Sequence, residues 1–168
     1  MKILFLNPPD LNKVSEYAID EHSKEYIESD DFGAFAPLGI LYVMSYLEKH
    51  APQHKLYFKD CVAERSGHNE LIDYVTEIMP DVVAMTSFTI GLPDVVMAAR
   101  NIKKIVPKAH FCLGGHHPIA FPFEAAGLPE FDSIVVGEGE IVFAELVKAL
   151  EDKKPLPTIT GVYTRESI

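Results

Sequence analysis

At 168 residues, with 48% hydrophobic and 24% charged side chains, the chain has the size and composition of one compact soluble domain, which excludes an intrinsically disordered protein. Its 25 Asp and Glu against 15 Lys and Arg leave a net charge of −10 and no basic stripe to neutralise phosphates, which excludes non-specific nucleic-acid binding. The longest apolar runs, such as Leu38 to Val43, are too short for a bilayer span, and Asn7-Pro8-Pro9 stops the first run before a signal peptide forms, so a cytoplasmic setting without a transmembrane segment is expected.

The first buried-strand signal is Ile3 to Leu6. A stretch of some thirty residues follows, reaching Pro37, too long for an idle connection and read as a functional or partly disordered loop. Its acidic residues, Asp20 to Asp31, lack calcium-loop spacing and are read as a solvated surface. Ile40, Val43, Met44 and Leu47 then recur at helical spacing, and Leu56 to Phe58 form a second strand. Leu71, Ile72, Val75 and Ile78 make a second helical stripe, closed by Pro80.

Val82 to Met85 is the third strand, and Pro93 suits the first turn of a helix carrying Val95, Val96, Ala99, Ile102 and Val106. Phe111 to Leu113 is the fourth strand, followed by a short helix from Ile119 to Ala126 ending at Gly127. Ser133 to Val136 is the fifth, and Val142, Phe143, Leu146, Val147 and Leu150 stripe the last helix. Residues 1–152 read as one domain, and 153–168 as a linker with a short strand from Thr158 to Thr164. Alternating strands and helices predict an α/β fold, a doubly wound five-stranded parallel sheet of order 2-1-3-4-5, with its ligand outside the carboxyl ends of the strands.

The residues after each strand are therefore the candidates. The first loop opens on Asn7-Pro8 and has neither a dinucleotide nor a P-loop glycine pattern. The third strand ends in Thr86-Ser87-Phe88-Thr89, whose hydroxyls either meet a ligand or cap the next helix. A phosphorelay receiver would need an Asp there, so Thr86 disfavours that class. The fourth strand ends in Gly114-Gly115-His116-His117-Pro118. Paired glycines let a flat ligand approach backbone, with a tight turn as the alternative; on the ligand reading Gly115→Val excludes the ligand and spares the fold. Adjacent histidines without a third ligand do not make a metal site, and none is expected. The fifth strand ends in Gly137-Glu138-Gly139-Glu140, where helix N–H groups can meet an acceptor or the carboxylates simply complement the dipole. Cys61 and Cys112 are read as reduced core thiols.

Pro37-Leu38-Gly39-Ile40-Leu41-Tyr42, the hydroxyl-rich turn, Gly114-Gly115-His116-His117-Pro118 and Val136-Gly137-Glu138-Gly139-Glu140, in this order, resemble the cobalamin-binding domain of the radical S-adenosylmethionine enzymes that include the anaerobic magnesium-protoporphyrin cyclase and many methyltransferases. The resemblance runs from Ile3 to about Tyr163 and implies a flavodoxin-like fold. It implies cobalamin as cofactor, with Asn7 and Pro8 at the corrin edge, and Ser87, Phe88 and Thr89 beside the tail or corrin amides. It places Gly114, Gly115, His116 and His117 along the nucleotide tail, and Gly137, Glu138, Gly139 and Glu140 near its base or ribose phosphate.

Methionine-synthase-like domains carry Asp-x-His-x-x-Gly after the second strand; here Asp60-Cys61-Val62 puts Val62 at the ligand position, which implies cobalamin without a protein histidine on cobalt. S-adenosylmethionine and a 4Fe-4S cluster would belong to a downstream radical domain in cis, because two cysteines cannot hold a cluster. The competing reading is a flavodoxin-like module without cobalamin, for phosphorelay, partner docking or flavin binding. On the cobalamin reading this domain is a cofactor-binding module with no turnover of its own, its parent being a methyltransferase or cyclase.

Overall fold

The computed structural model describes residues 1–10, 15–20, 23–27, 35–156 and 159–167. Strands β1 (Lys2–Asn7), β4 (Lys55–Asp60), β5 (Val82–Thr86), β6 (His110–Gly114) and β7 (Ser133–Val135) form a parallel sheet in the order β4-β1-β5-β6-β7. This is the predicted 2-1-3-4-5 order. A sixth strand, β8 (Val162–Tyr163), is added antiparallel to the edge of β7. The short strand expected from Thr158 to Thr164 thus belongs to the sheet, with Thr158 itself outside the described residues. The first long connection, expected as a functional or partly disordered loop, contains an antiparallel hairpin, β2 (Ser15–Asp20) and β3 (Ser23–Ile27).

The helices are α1 (Leu38–His50), α2 (His68–Ile78), α3 (Leu92–Ile105), α4 (His116–Ala120), α5 (Pro122–Gly127) and α6 (Gly139–Asp152). The single helix expected from Ile119 to Ala126 is two: Phe121 leaves helical geometry, and Pro122, which has no N–H to give, starts the second at its first turn.

Strand alternation sorts the core into two layers. Leu4, Leu6, Val83, Met85, Phe111 and Leu113 face α2, α3 and α5, where Leu71, Val75, Ala98 and Ile102 are buried. Ile3, Phe5, Val82, Ala84, Cys112 and Val135 face α1 and α6, meeting Ile40, Leu47, Phe143 and Leu146. Both faces being covered explains why the strands read as continuous apolar runs. The chain leaves β1 towards the α1 face and leaves β5 towards the α3 face, so a crevice opens between their carboxyl ends. Among the described residues no helix is long and apolar enough to cross a membrane.

Candidate functional site

At the carboxyl ends of the strands a groove of about 290 Å³ lies between the sheet and the first turns of α1 and α6. Its floor is the α1–α6 layer of the core: Phe5, Ala84, Cys112 and Val135 from the strands, Ile40 and Phe143 from the helices. The Phe5 and Phe143 rings meet in this floor as a tilted pair, at 5.4 Å and 58°. One wall carries Thr86, Gly114, Gly115 and His116, and the opposite wall carries Gly137, Glu138, Gly139 and Glu140. No lysine or arginine lines the groove among the described residues, so its chemistry is that of an apolar slot with a few polar anchors.

Burial pushes the Cys112 thiol up to about 12, against a hydrogen bond from Ser133 that pulls it down. The floor is therefore neutral and unreactive at neutral pH. Cys61, at the end of β4, is likewise pushed up to about 12 by burial, and both cysteines are free thiols. Among the described residues no group of three His, Cys, Asp or Glu side chains could hold a metal ion.

Of the residues singled out in the sequence, Gly114, Gly115, His116 and Gly137 to Glu140 converge on this groove. Ser87, Thr89 and His117 do not line it; they knit the wall behind. The Ser87 N–H donates to the Gly114 carbonyl (3.1 Å), its hydroxyl to the Phe88 carbonyl (2.6 Å), and its own carbonyl accepts from the His117 N–H (3.0 Å). The His117 ring, only 1% exposed, sits 3.3 Å from the Thr89 hydroxyl and against Phe121. This lattice fixes Phe88, 63% exposed, with its ring stacked on His116 at 4.6 Å and 13°. Asn7 is half-buried and Pro8 buried at the end of β1, beside the groove.

Gly115 corrects an expectation. Its backbone lies at φ 96° and ψ −166°, a region essentially confined to glycine, and a Cβ there would come within 2.6 Å of Thr86 Oγ1 and 2.9 Å of both Ser87 N and Ser87 O. The tight-turn reading holds at this position, and Gly115→Val would damage the fold itself. Gly114 differs: a Cβ would meet only the Met85 carbonyl at 3.9 Å, ordinary contact. Gly139 serves helix packing, since a Cβ would press to 2.9 Å on Val43 of α1.

Sequence reasoning assigned no site role to the first turns of α1, where Gly39, Ile40, Tyr42 and Val43 complete the groove. A signal was present: Tyr42 falls off the apolar stripe and is exposed, as is Leu38 one turn earlier. Ile119, which also lines the groove, and Phe88, stacked on His116, add further exposed apolar side chains.

The family model for the B12 binding domain matches residues 32–147. An uncharacterized methyltransferase of Pyrococcus horikoshii is 30% identical over 132 residues, covering 78% of this chain and 28% of that protein. The anaerobic magnesium-protoporphyrin IX monomethyl ester cyclase of Cereibacter sphaeroides is 34% identical over 123 residues, covering 71% of this chain and 19% of that protein. The chain thus spans less than a third of either relative. Among solved structures, the radical S-adenosylmethionine methyltransferase TsrM from Kitasatospora setae, with cobalamin and a [4Fe-4S] cluster bound, superposes with a TM-score of 0.69 at 18% identity, over 96% of this chain and 26% of TsrM.

Proposed function

The chain belongs to the B12-binding domain family, and from that premise we propose that it is the cobalamin-holding module of a radical S-adenosylmethionine enzyme, with the cobalt-bound chemistry completed by a radical domain in cis. The observation that carries this reading is the apolar groove at the carboxyl ends of β1, β5, β6 and β7, walled by glycines and floored by buried side chains. At about 290 Å³ it sits at the foot of the roughly 300–1,000 Å³ range of small-molecule pockets. It therefore suits a heterocycle on its sugar, and a corrin macrocycle would lie above the strand ends.

Gly114 and the floor side chains would receive the base of the nucleotide tail, and Thr86, His116 and the N-terminal turn of α6 would offer its polar anchors. Asn7 and Pro8, at the switch point, would meet the corrin edge. Ser87, Thr89 and His117 would act by holding the Phe88–His116 stack in place. When bound, the cobalt supplies methyl transfer or related radical chemistry, and the protein contributes binding, orientation and a water-poor slot.

With its base taken up in the groove, the cofactor would be held base-off, and no protein histidine would take the base's place. Residues 1–152 would form this module, with β8 returning to cover the edge of β7 before a radical domain begins. In relatives of several times this length the remaining residues leave room for such a domain. The test is to mix the chain with hydroxocobalamin or with flavin mononucleotide, desalt, and record the visible spectrum. Retained corrinoid absorption supports the reading; retained flavin, or neither chromophore, removes it.

A further inference from the structure

Asn7 and Asp60 end neighbouring parallel strands and are register partners, so their side chains leave the sheet on one face. Alternation along β1 puts Asn7 on the face of Ile3 and Phe5, which is the groove face. The Asn7 Nδ2 donates to Asp60 Oδ1 at 2.8 Å, and the same oxygen accepts the Ala63 N–H at 3.1 Å. Asp60 is 8% exposed, and the turn that follows it is closed by Cys61 N–H on the Asn7 carbonyl (2.9 Å) and Glu64 N–H on the Asp60 carbonyl (3.0 Å).

A primary amide can present either its donor or its acceptor, and a free Asn can flip to suit. A carboxylate only accepts. Asp60 therefore holds the Asn7 Nδ2 towards β4 and leaves the Asn7 Oδ1 facing away from the carboxylate.

We propose that Asp60 is a specificity-determining positioning residue: by locking the Asn7 amide it presents a fixed acceptor to the corrinoid's edge, and so selects a side-chain amide N–H over a carboxylate at that place. The inference rests on the cobalamin reading above. A corrin edge bears several primary amides, and hydrolysis of one converts two donors into an anion. The locked Asn7 oxygen, with the Asp60 charge behind it, accepts from the first and repels the second. An Asn7 free to flip would accommodate both.

The experiment uses this chain, aquacobalamin, and the set of cobalamin derivatives in which one peripheral amide is hydrolysed to a carboxylate, with dissociation constants from spectral titration. The native chain should prefer aquacobalamin over at least one derivative by about tenfold, the value of a single hydrogen bond. Asp60→Ala removes the acceptor that orients the Asn7 amide, so Asn7 is free to flip, and should shrink that preference to about twofold or less while aquacobalamin itself still binds. Asn7→Ala, which leaves the Asp60–Ala63 contact in place, should remove the preference as well and serves if Asp60→Ala does not fold. Native discrimination retained in the variant overturns the proposal, as does a native chain that binds all derivatives equally. A native chain that binds no corrinoid at all sinks the cobalamin reading and this inference with it.

Discussion

Adding one methyl group at Gly115 should unfold the chain at a markedly lower temperature, whereas the same change next door at Gly114 should not. At Gly115 an alanine must hold φ near 96° with ψ near −166°, a backbone cost of about 1–3 kcal/mol. Its Cβ would also stand 2.6 Å from Thr86 Oγ1 and 2.9 Å from the Ser87 backbone. The Thr86 hydroxyl can rotate away, but Ser87 is held by its N–H on Gly114 and its carbonyl on His117, so relief requires the two strand ends to part. Overpacking of that kind adds about 1–3 kcal/mol.

Together roughly 2–6 kcal/mol is at stake in a domain whose whole stability is on the order of 5–15 kcal/mol. With about 2–4 °C per kcal/mol for a chain of this size, the melting midpoint should fall by at least about 4 °C. Gly114→Ala meets only the Met85 carbonyl at 3.9 Å and should melt within about 2 °C of the native chain. Its methyl group would project into the groove, so cobalamin affinity should drop while the fold persists. Thermal unfolding followed by circular dichroism on both variants decides the matter. A Gly115→Ala chain as stable as the native one would refute the close approach of β5 and β6 ends described above.

Burial holds His54 and His110 below the ordinary histidine value of 6.5, His54 also through the nearby N-terminal charge. The folded state therefore takes up these protons at lower pH than the unfolded state, and the stability involved is present above 6.5 and lost as pH falls through the lowered folded values. His110→Gln, which can keep the contact with Ser133, should flatten the acid limb of a urea-midpoint profile below pH 6.5, and an unchanged limb would clear His110 of the effect. Cys61 and Cys112 should resist an aromatic disulfide reagent at about pH 8 in the folded chain and both react in denaturant; native reactivity would contradict their burial. Electron paramagnetic resonance of bound cob(II)alamin should show no nitrogen superhyperfine splitting. A splitting abolished by His116→Ala or His117→Ala would put a histidine on cobalt.

Much of the fold was legible because burial on both faces leaves an unmistakable trace. Runs such as Ile3 to Leu6 and Val82 to Met85 can only be covered strands, and the helical stripes between them dictate parallel crossovers. The turn motifs after β6 and β7 were legible as positions on the carboxyl edge, since strand order alone brings them there. Pro122 is a break readable in the sequence, and it divides the helix expected from Ile119 to Ala126. The strand β8 was expected, but its antiparallel pairing with β7 is a property of the partner edge and leaves no local mark in two residues.

The site divides in the same way. Local sequence specified which residues stand at strand ends, through periodicity and turn chemistry. Only the packing of α1 against α6, through Gly139 and Val43, decided that a groove exists and that Tyr42 borders it. Only the approach of two strand ends decided that Gly115 serves the backbone and that Ser87 and His117 are buried in a hydrogen-bonded wall, with the exposed Thr89 hydroxyl beside the His117 ring. The physical reason is range: periodicity and propensity act over one turn or one strand, whereas the orientation of a hydroxyl or the clearance beside a Cα is set by atoms tens of residues away in the chain.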